Sequence, residues 1–395
     1  MTSAGQLRRE GKAHLTSVVS APTPRAHSST LLAVATALPE HRYPQAEVTA
    51  AVGDMLGVNE RQRALLERLH ANSGVAHRHT ALPLEQYPGL ADFGDRNDAF
   101  ISVAVELGSQ AVSTALHAAG LRPDDVDVVM STTVTGLAVP SLDARLAGRL
   151  GMREDVKRVP LHGLGCVAGA AGIARLHDYL VGHPDDIAVL VSVELCSLTI
   201  QHDDTSTANL VATGLFGDGA SAVVLAGADV AVDTTPSGLG GGPAVPVPQP
   251  QVLASRSRLY PDTGRAMGWD VGAGGLRIVL GVEVPGLVST HLRQDVDRFL
   301  AGEGLTRADI GWWVAHPGGP KVLEAMQEAL ELEREDLGVT WRSLAAIGNL
   351  SSSSVLHVLA DTLRERPPAP GSLGLLLAMG PGFCLETVLL RAGTP

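Results

Sequence analysis

From Ser29 onward, short runs of β-branched and leucine residues alternate with longer stretches of helical apolar spacing, the pattern of an α/β chain. The runs STLLAVATAL, VDVVMSTTV, IAVLVSVEL and SAVVLAG read as buried strands. Helices are predicted between them over 99–120 and 141–151, and the small-residue stretch VAGAAGIARLHDYL reads as a third. Further on, the pattern predicts helices over 286–303 and 320–333, a strand at WWVAH, a helix after Asn349, and closing strands LGLLLAM and CLETVLL. Residues 233–251, rich in Gly and Pro, sustain neither helix nor central strand and mark a linker. The resulting division is a flexible tail over 1–28, one half over 29–232, and a second over 252–395.

The halves echo each other. LHGLGC leads into a helix and GLFGDG into a strand in the first; AAIGN leads into a helix and MGPG into a strand in the second. Each half thus offers one reactive residue type at a helix start and one glycine loop before a terminal strand, as a duplicated α/β unit would.

Composition narrows the function. With 395 residues, 45% of them hydrophobic, the chain can bury a large core. A formal net charge of -12 leaves no basic face for nucleic acid. No uninterrupted apolar run reaches the roughly 18 to 20 residues that cross a bilayer. The three cysteines, Cys166, Cys196 and Cys384, have no metal-ligand spacing, so no metal is expected and a reducing cytoplasm is.

Three residues carry candidate chemistry. Cys166 follows a glycine turn and opens a small-residue helix, where free N–H groups and the helix dipole favour a thiolate; a buried, inert thiol is the competing reading. His316 ends a strand and is followed by Pro317, Gly318 and Gly319, which let a thin ligand arm approach the backbone. Asn349 stands before four serines, a helix-capping context that alone would explain it. Together, a soft nucleophile, an imidazole and a neutral amide donor are the set that thioester chemistry needs.

These segments resemble the type III polyketide synthases, the chalcone-synthase-like branch of the thiolase superfamily. The motifs are GLGC at 163–166, VELCS at 193–197, LFGDG at 215–219, VPGL at 284–287, HPGGP at 316–320, GNLSS at 348–352 and GPG at 380–382. The resemblance implies a thiolase-like five-layer αβαβα fold from two duplicated halves. It also implies a homodimer that works on an acyl-CoA starter and malonyl-CoA, with no cofactor beyond these CoA thioesters. By position, Cys166 matches the nucleophile, and His316 and Asn349 the pair that activates thioesters; the imidazolium would hold the thiolate. Phe216 matches a gatekeeper, with Val134, Thr135, Ile200, Trp269, Ile278, Ser351 and Met379 at substrate-cavity positions. Arg68, Lys321, Gly318 and Gly319 fall where CoA is contacted, although Leu65 and Asn72 replace basic residues of plant members. Val139, before Pro140, matches a residue that reaches across the dimer interface. Ile278 in place of a second gatekeeper phenylalanine, and a shortened segment before LFGDG, resemble bacterial members primed by fatty acyl groups, implying an alkylpyrone or alkylresorcinol product. Two rivals remain: a ketoacyl-acyl-carrier-protein synthase of the third kind, which usually carries Gln and Ala after its histidine, and an inactive partner subunit of the same fold.

Overall fold

The structure, a computed structural model, describes residues 28–231, 249–272 and 274–393. The expected tail and most of the expected linker lie outside them. The first half begins with β1 (Ser29–Ala37), β2 (His41–Pro44), α1 (Gln45–Met55), α2 (Glu60–Ala71), β3 (His77–Thr80) and α3 (Phe93–Ala118). It continues through β4 (Val128–Thr133), α4 (Leu142–Leu150), β5 (Lys157–His162), α5 (Ala168–Gly182), β6 (Ile187–Leu195), α6 (Thr207–Leu215) and β7 (Asp218–Ala226). The second half holds β8 (Gln251–Leu259), the hairpin β9 (Met267–Gly272) and β10 (Gly275–Leu280), α7 (Val284–Gly302) and β11 (Ile310–Ala315). It closes with α8 (Pro320–Leu330), α9 (Gly338–Ile347), α10 (Ser354–Glu365), β12 (Leu373–Gly380) and β13 (Cys384–Arg391).

Strands of both halves share one sheet in the order β11-β12-β13-β8-β1-β7-β6-β4-β5. The seam between the halves is narrow, with Ser29 opposite Val252 and Thr30 opposite Gln251. Alternation along the strands builds the layers. On β6, Val189, Val191 and Val193 face a core shared with Phe100, Ala104 and Leu107 of α3, whereas Ala188 and Leu190 face Ile173 and Leu176 of α5. On β12, Leu376 and Ala378 face the same central layer, completed by Val355 and Leu359 of α10, while Leu375 and Leu377 face Leu292 of α7 and Met326 of α8. The two arms of this one sheet, joined at the narrow seam, enclose α5 and α10, so the order is helix, sheet arm, helix, sheet arm, helix: the five-layer thiolase-like arrangement. It explains why these strands are apolar throughout, since both faces are covered.

Several expectations shift. Gln251, placed in the linker by sequence, is the first residue of β8. The helix expected from 99 begins at Phe93, because Asp92 caps it by accepting from the Asp95 N–H. α3 is also long and apolar enough to cross a membrane by length and composition, contrary to the expectation that no segment is. Its period-3.6 stripe is instead spent on the sheet, where Phe100, Ala104, Ala111 and Val112 are fully buried. The helices α1, α2 and α6 and the hairpin β9–β10 were not anticipated. α2 (ERQRALLERLHA) is mostly polar and is set by a capping box of Asn59 and Gln62 instead of by a strong apolar face.

Candidate active site

The nucleophile candidate is placed by glycines. Gly163 and Gly165 take positive φ values of 94° and 54° after β5, and a Cβ at Gly165 would sit 2.6 Å from Pro381 Cδ. Cys166 lies in the single 3-10 turn that opens α5. At Gly169, one turn further, a Cβ would come within 2.2 Å of the Ser352 carbonyl oxygen, so glycine is what lets α5 dock on the 351–353 turn. That contact brings the Cys166 thiol to the Ser351 hydroxyl, with Sγ donating to Oγ at 3.6 Å.

His316 follows the last residue of β11, and its N–H donates to the Leu377 carbonyl at 3.0 Å, extending the β11–β12 ladder into the site. The ring is 3% exposed and its Nδ1 has no hydrogen-bond partner. Asn349 sits where α9 ends at Gly348. Its backbone forms an isolated bridge with Phe216: the Asn349 N–H donates to the Leu215 carbonyl at 2.9 Å, and the Gly217 N–H donates to the Asn349 carbonyl at 2.9 Å. The side-chain Oδ1 accepts from the Ser351 N–H at 2.8 Å and from the Ser354 hydroxyl at 3.4 Å. Asn349 therefore closes an Asx-type turn and does not cap α10, whose N-cap is Ser353. With Oδ1 occupied inside the turn, Nδ2 is the side-chain group left for the cavity that Asn349 lines. Ser351, at φ 49°, holds a left-handed conformation that costs about 1–3 kcal/mol in a non-glycine residue.

All three candidates line one cavity of about 590 Å³. So do Phe216, Ile278, Trp269, Val134 and Thr135, and also Ile200, Met379 and Ser351. Gly318, Gly319 and the exposed Lys321 stand on its wall, as does Val282, which is 97% exposed, so the cavity opens to solvent. Trp269 and Ile278 are directly paired across the β9–β10 hairpin. Arg68 does not join the described cavity wall; it is exposed on α2, while Leu69 of the same helix and Asn72, which caps its end, line the cavity. Val139 is 96% exposed, away from the cavity.

The electrostatics differ from the sequence-based expectation at the thiol. Burial pushes Cys166 up to about 12, only partly relieved by the Ser351 hydrogen bond, and the buried Glu194 carboxyl adds to the rise. The helix start does not win because the thiol has left water. Burial likewise pulls His316 down to about 3, so the resting ring is neutral instead of the expected imidazolium. A neutral imidazole is a competent base. It is the only one on the described cavity wall, which holds no Asp or Glu. Sulfur and imidazole can become charged together, each ion offsetting the other's lost hydration.

Sequence reasoning missed part of the wall. Tyr87, Ser197, Cys196 and Thr199 bring hydroxyl and thiol groups to one side, and Val48, Val52, Leu69 and Val211 of α1, α2 and α6 line an apolar arm. It also overlooked Glu194, fully buried and accepting hydrogen bonds from Thr135 Oγ1, the Val134 N–H and Ser352 Oγ. Its signal was available: a lone carboxylate in an otherwise apolar strand run, which must find partners.

Known proteins match both halves of the chain. The family model for chalcone and stilbene synthases, N-terminal domain, matches residues 19–230, and the C-terminal domain model matches 251–394. A 1,3,6,8-tetrahydroxynaphthalene synthase of Streptomyces peucetius subsp. caesius is 55% identical over 92% of this chain and 93% of its own. A 3,5-dihydroxyphenylacetyl-CoA synthase of Streptomyces toyocaensis is 32% identical over 98% of this chain and 94% of its own. Among solved structures, 1,3,6,8-tetrahydroxynaphthalene synthase of Streptomyces coelicolor superposes with a TM-score of 0.83 at 29% identity, covering 93% of this chain and all of that one, 100%.

Proposed function

Starting from the fact that the chain belongs to the chalcone and stilbene synthase family and is a type III polyketide synthase, we propose that it builds a tetrahydroxynaphthalene-type aromatic product from malonyl-CoA. The observation that carries the reading is the single cavity on which Cys166, His316 and Asn349 converge. His316 accepts the Cys166 proton as sulfur attacks a CoA thioester, and the CoA thiol leaves. His316 and Asn349 Nδ2 then donate to the thioester carbonyl of malonyl-CoA, stabilising the enolate formed as CO2 departs. The enolate carbon attacks the Cys166 thioester, and the lengthened chain returns to sulfur. A cavity wall without carboxylates suits the first part of this cycle, because malonate meets no like charge there. Its apolar faces favour CO2 over the carboxylate that precedes it.

The tetrahydroxynaphthalene-type product is chosen on likeness and not on the polar side of the wall. A poly-β-keto chain carries oxygen on every second carbon, but the hydroxyl protons of Tyr87, Thr135, Ser197 and Thr199 are committed to Ser197, Glu194, Asp218 and the Cys196 carbonyl respectively. The 55% identity to a tetrahydroxynaphthalene synthase supports the choice. A second reading, a fatty acyl starter giving an alkylpyrone or alkylresorcinol, is favoured by the apolar arm between α1, α2 and α6. An α-pyrone-forming polyketide synthase-like relative of Mycobacterium tuberculosis, 27% identical, is in keeping with it. We further propose a cytoplasmic homodimer in which Val139 and Pro140 meet the second copy, the three free cysteines suiting a reducing compartment. One experiment separates the products. Purified protein given malonyl-CoA alone should yield a ten-carbon aromatic by mass spectrometry, and Cys166→Ala none. Product formed only when C8 to C16 acyl-CoAs are added would overturn the first reading in favour of the second.

A further inference from the structure

β3 reaches the site through Arg78, a residue without a part in the chemistry above. It is 3% exposed, and its Nη1 donates to the Phe216 carbonyl at 2.7 Å. Nε and Nη2 have no hydrogen-bond partner, so that carbonyl is the guanidinium's acceptor among the described residues. The stem packs on the other side of the bridge: a Cβ at Gly348 would lie 3.3 Å from Arg78 Cγ, and Gly348 precedes Asn349. Arg78 thus touches both pieces of chain that form the bridge, one carrying Phe216 and the other Asn349.

We propose that Arg78 is a positioning residue for decarboxylation, clamping the Phe216 carbonyl so that residues 215–217 hold Asn349 with its Nδ2 directed at the substrate carbonyl. Burying an arginine with one satisfied acceptor is costly, and an apolar side chain of similar length would pack there at lower cost if filling space were the whole task. The charge persists nonetheless. Burial lowers the guanidinium only to about 10, and the nearby Asp218 carboxylate resists that fall, so the donor to Phe216 stays fully protonated at neutral pH. A rigid donor matters here because a misplacement of about 1 Å in a catalytic donor can cost about 100-fold.

The inference rests on the proposed role of Asn349 as a donor in decarboxylation, and its test separates the two. Malonyl-CoA decarboxylation, iodoacetamide alkylation of Cys166 and melting temperature are measured for wild type, Arg78→Met, Arg78→Lys and Asn349→Ala. Arg78→Met should lower kcat for decarboxylation about tenfold or more, with KM and the alkylation rate within twofold, because Cys166 is held by α5 and the 351–353 turn and not by the bridge. Arg78→Lys, which keeps one charged donor, should recover part of the rate. The proposal is overturned if Arg78→Met keeps the wild-type kcat, or if decarboxylation and alkylation fall in step. Should Arg78→Met fail to fold, Arg78→Lys decides alone: a lower melting temperature with an unchanged kcat means Arg78 only stabilises the fold. Normal decarboxylation by Asn349→Ala would instead remove the premise.

Discussion

Replacing His316 by alanine removes the one base on the described cavity wall that it shares with Cys166. Burial already places the Cys166 thiol at about 12 while His316 rests neutral, and without the imidazole there is no base on the wall to take its proton. At pH 7.5 such a thiol is ionised to roughly 3 parts in 100,000, about 4.5 decades short of a full thiolate. Its higher basicity returns part of the loss: with a Brønsted slope of about 0.4, five units make the thiolate roughly 100-fold more nucleophilic than one near pKa 7. The net expectation is a fall of two to three orders of magnitude in the alkylation rate at pH 7.5, relative to the wild-type sulfur–imidazole pair. The assay is iodoacetamide labelling followed by peptide mass spectrometry, with Cys384 on the same chain as an internal reference. In wild type the rate should level off towards neutral pH as the pair titrates as a unit. In His316→Ala it should climb tenfold per pH unit through pH 9, with no plateau. Equal rates for the two proteins at pH 7.5 would show that His316 does not take the thiol's proton, and the assigned chemistry would fail at its first step.

Two further outcomes test how the site is supported. Burial lowers His70 from 6.5 to about 4, where it bridges Thr49 and Thr213 between α1 and α6. Its folded pKa is depressed, so its contribution is present above 6.5 and is lost as pH falls through 4, a loss of roughly 3 kcal/mol. Melting temperature from pH 7.5 to pH 4.5 should therefore drop less in His70→Gln than in wild type; parallel curves would refute the burial argument. Gly169→Ala places a methyl on the Ser352 carbonyl and should cost about 1–3 kcal/mol in urea unfolding while slowing condensation; an unchanged urea midpoint would mean α5 and the 351–353 turn can part freely.

What the chain discloses by pattern depends on how local the cause is. The two-sided burial of β6 and β12 was readable because each residue carries its own apolar signal. Cys166, His316 and Asn349 were readable because glycine turns and helix starts announce themselves over a few positions. The state of the thiol was not, since a helix start is a local property and desolvation belongs to the assembled cavity. Asn349 was half legible: its capping context was visible, but its partner proved to be a serine N–H two residues on, and its backbone partner, Phe216, lies in the other half of the chain. The direction of Arg68, exposed on α2, was not legible either. Placing a residue on α2 does not say which way it points, and a mostly polar helix gives little indication.

The bridge between Phe216 and Asn349 has a consequence for anyone reshaping the enzyme. Phe216 and Asn349 are two edges of the same scrap of sheet, so neither can be moved separately by shifting main chain. Trimming or enlarging the ring at 216 leaves the scrap in place and changes the cavity wall alone. An insertion or deletion anywhere from 215 to 217 drags the Asn349 amide with it, so the wall and the amide would shift together.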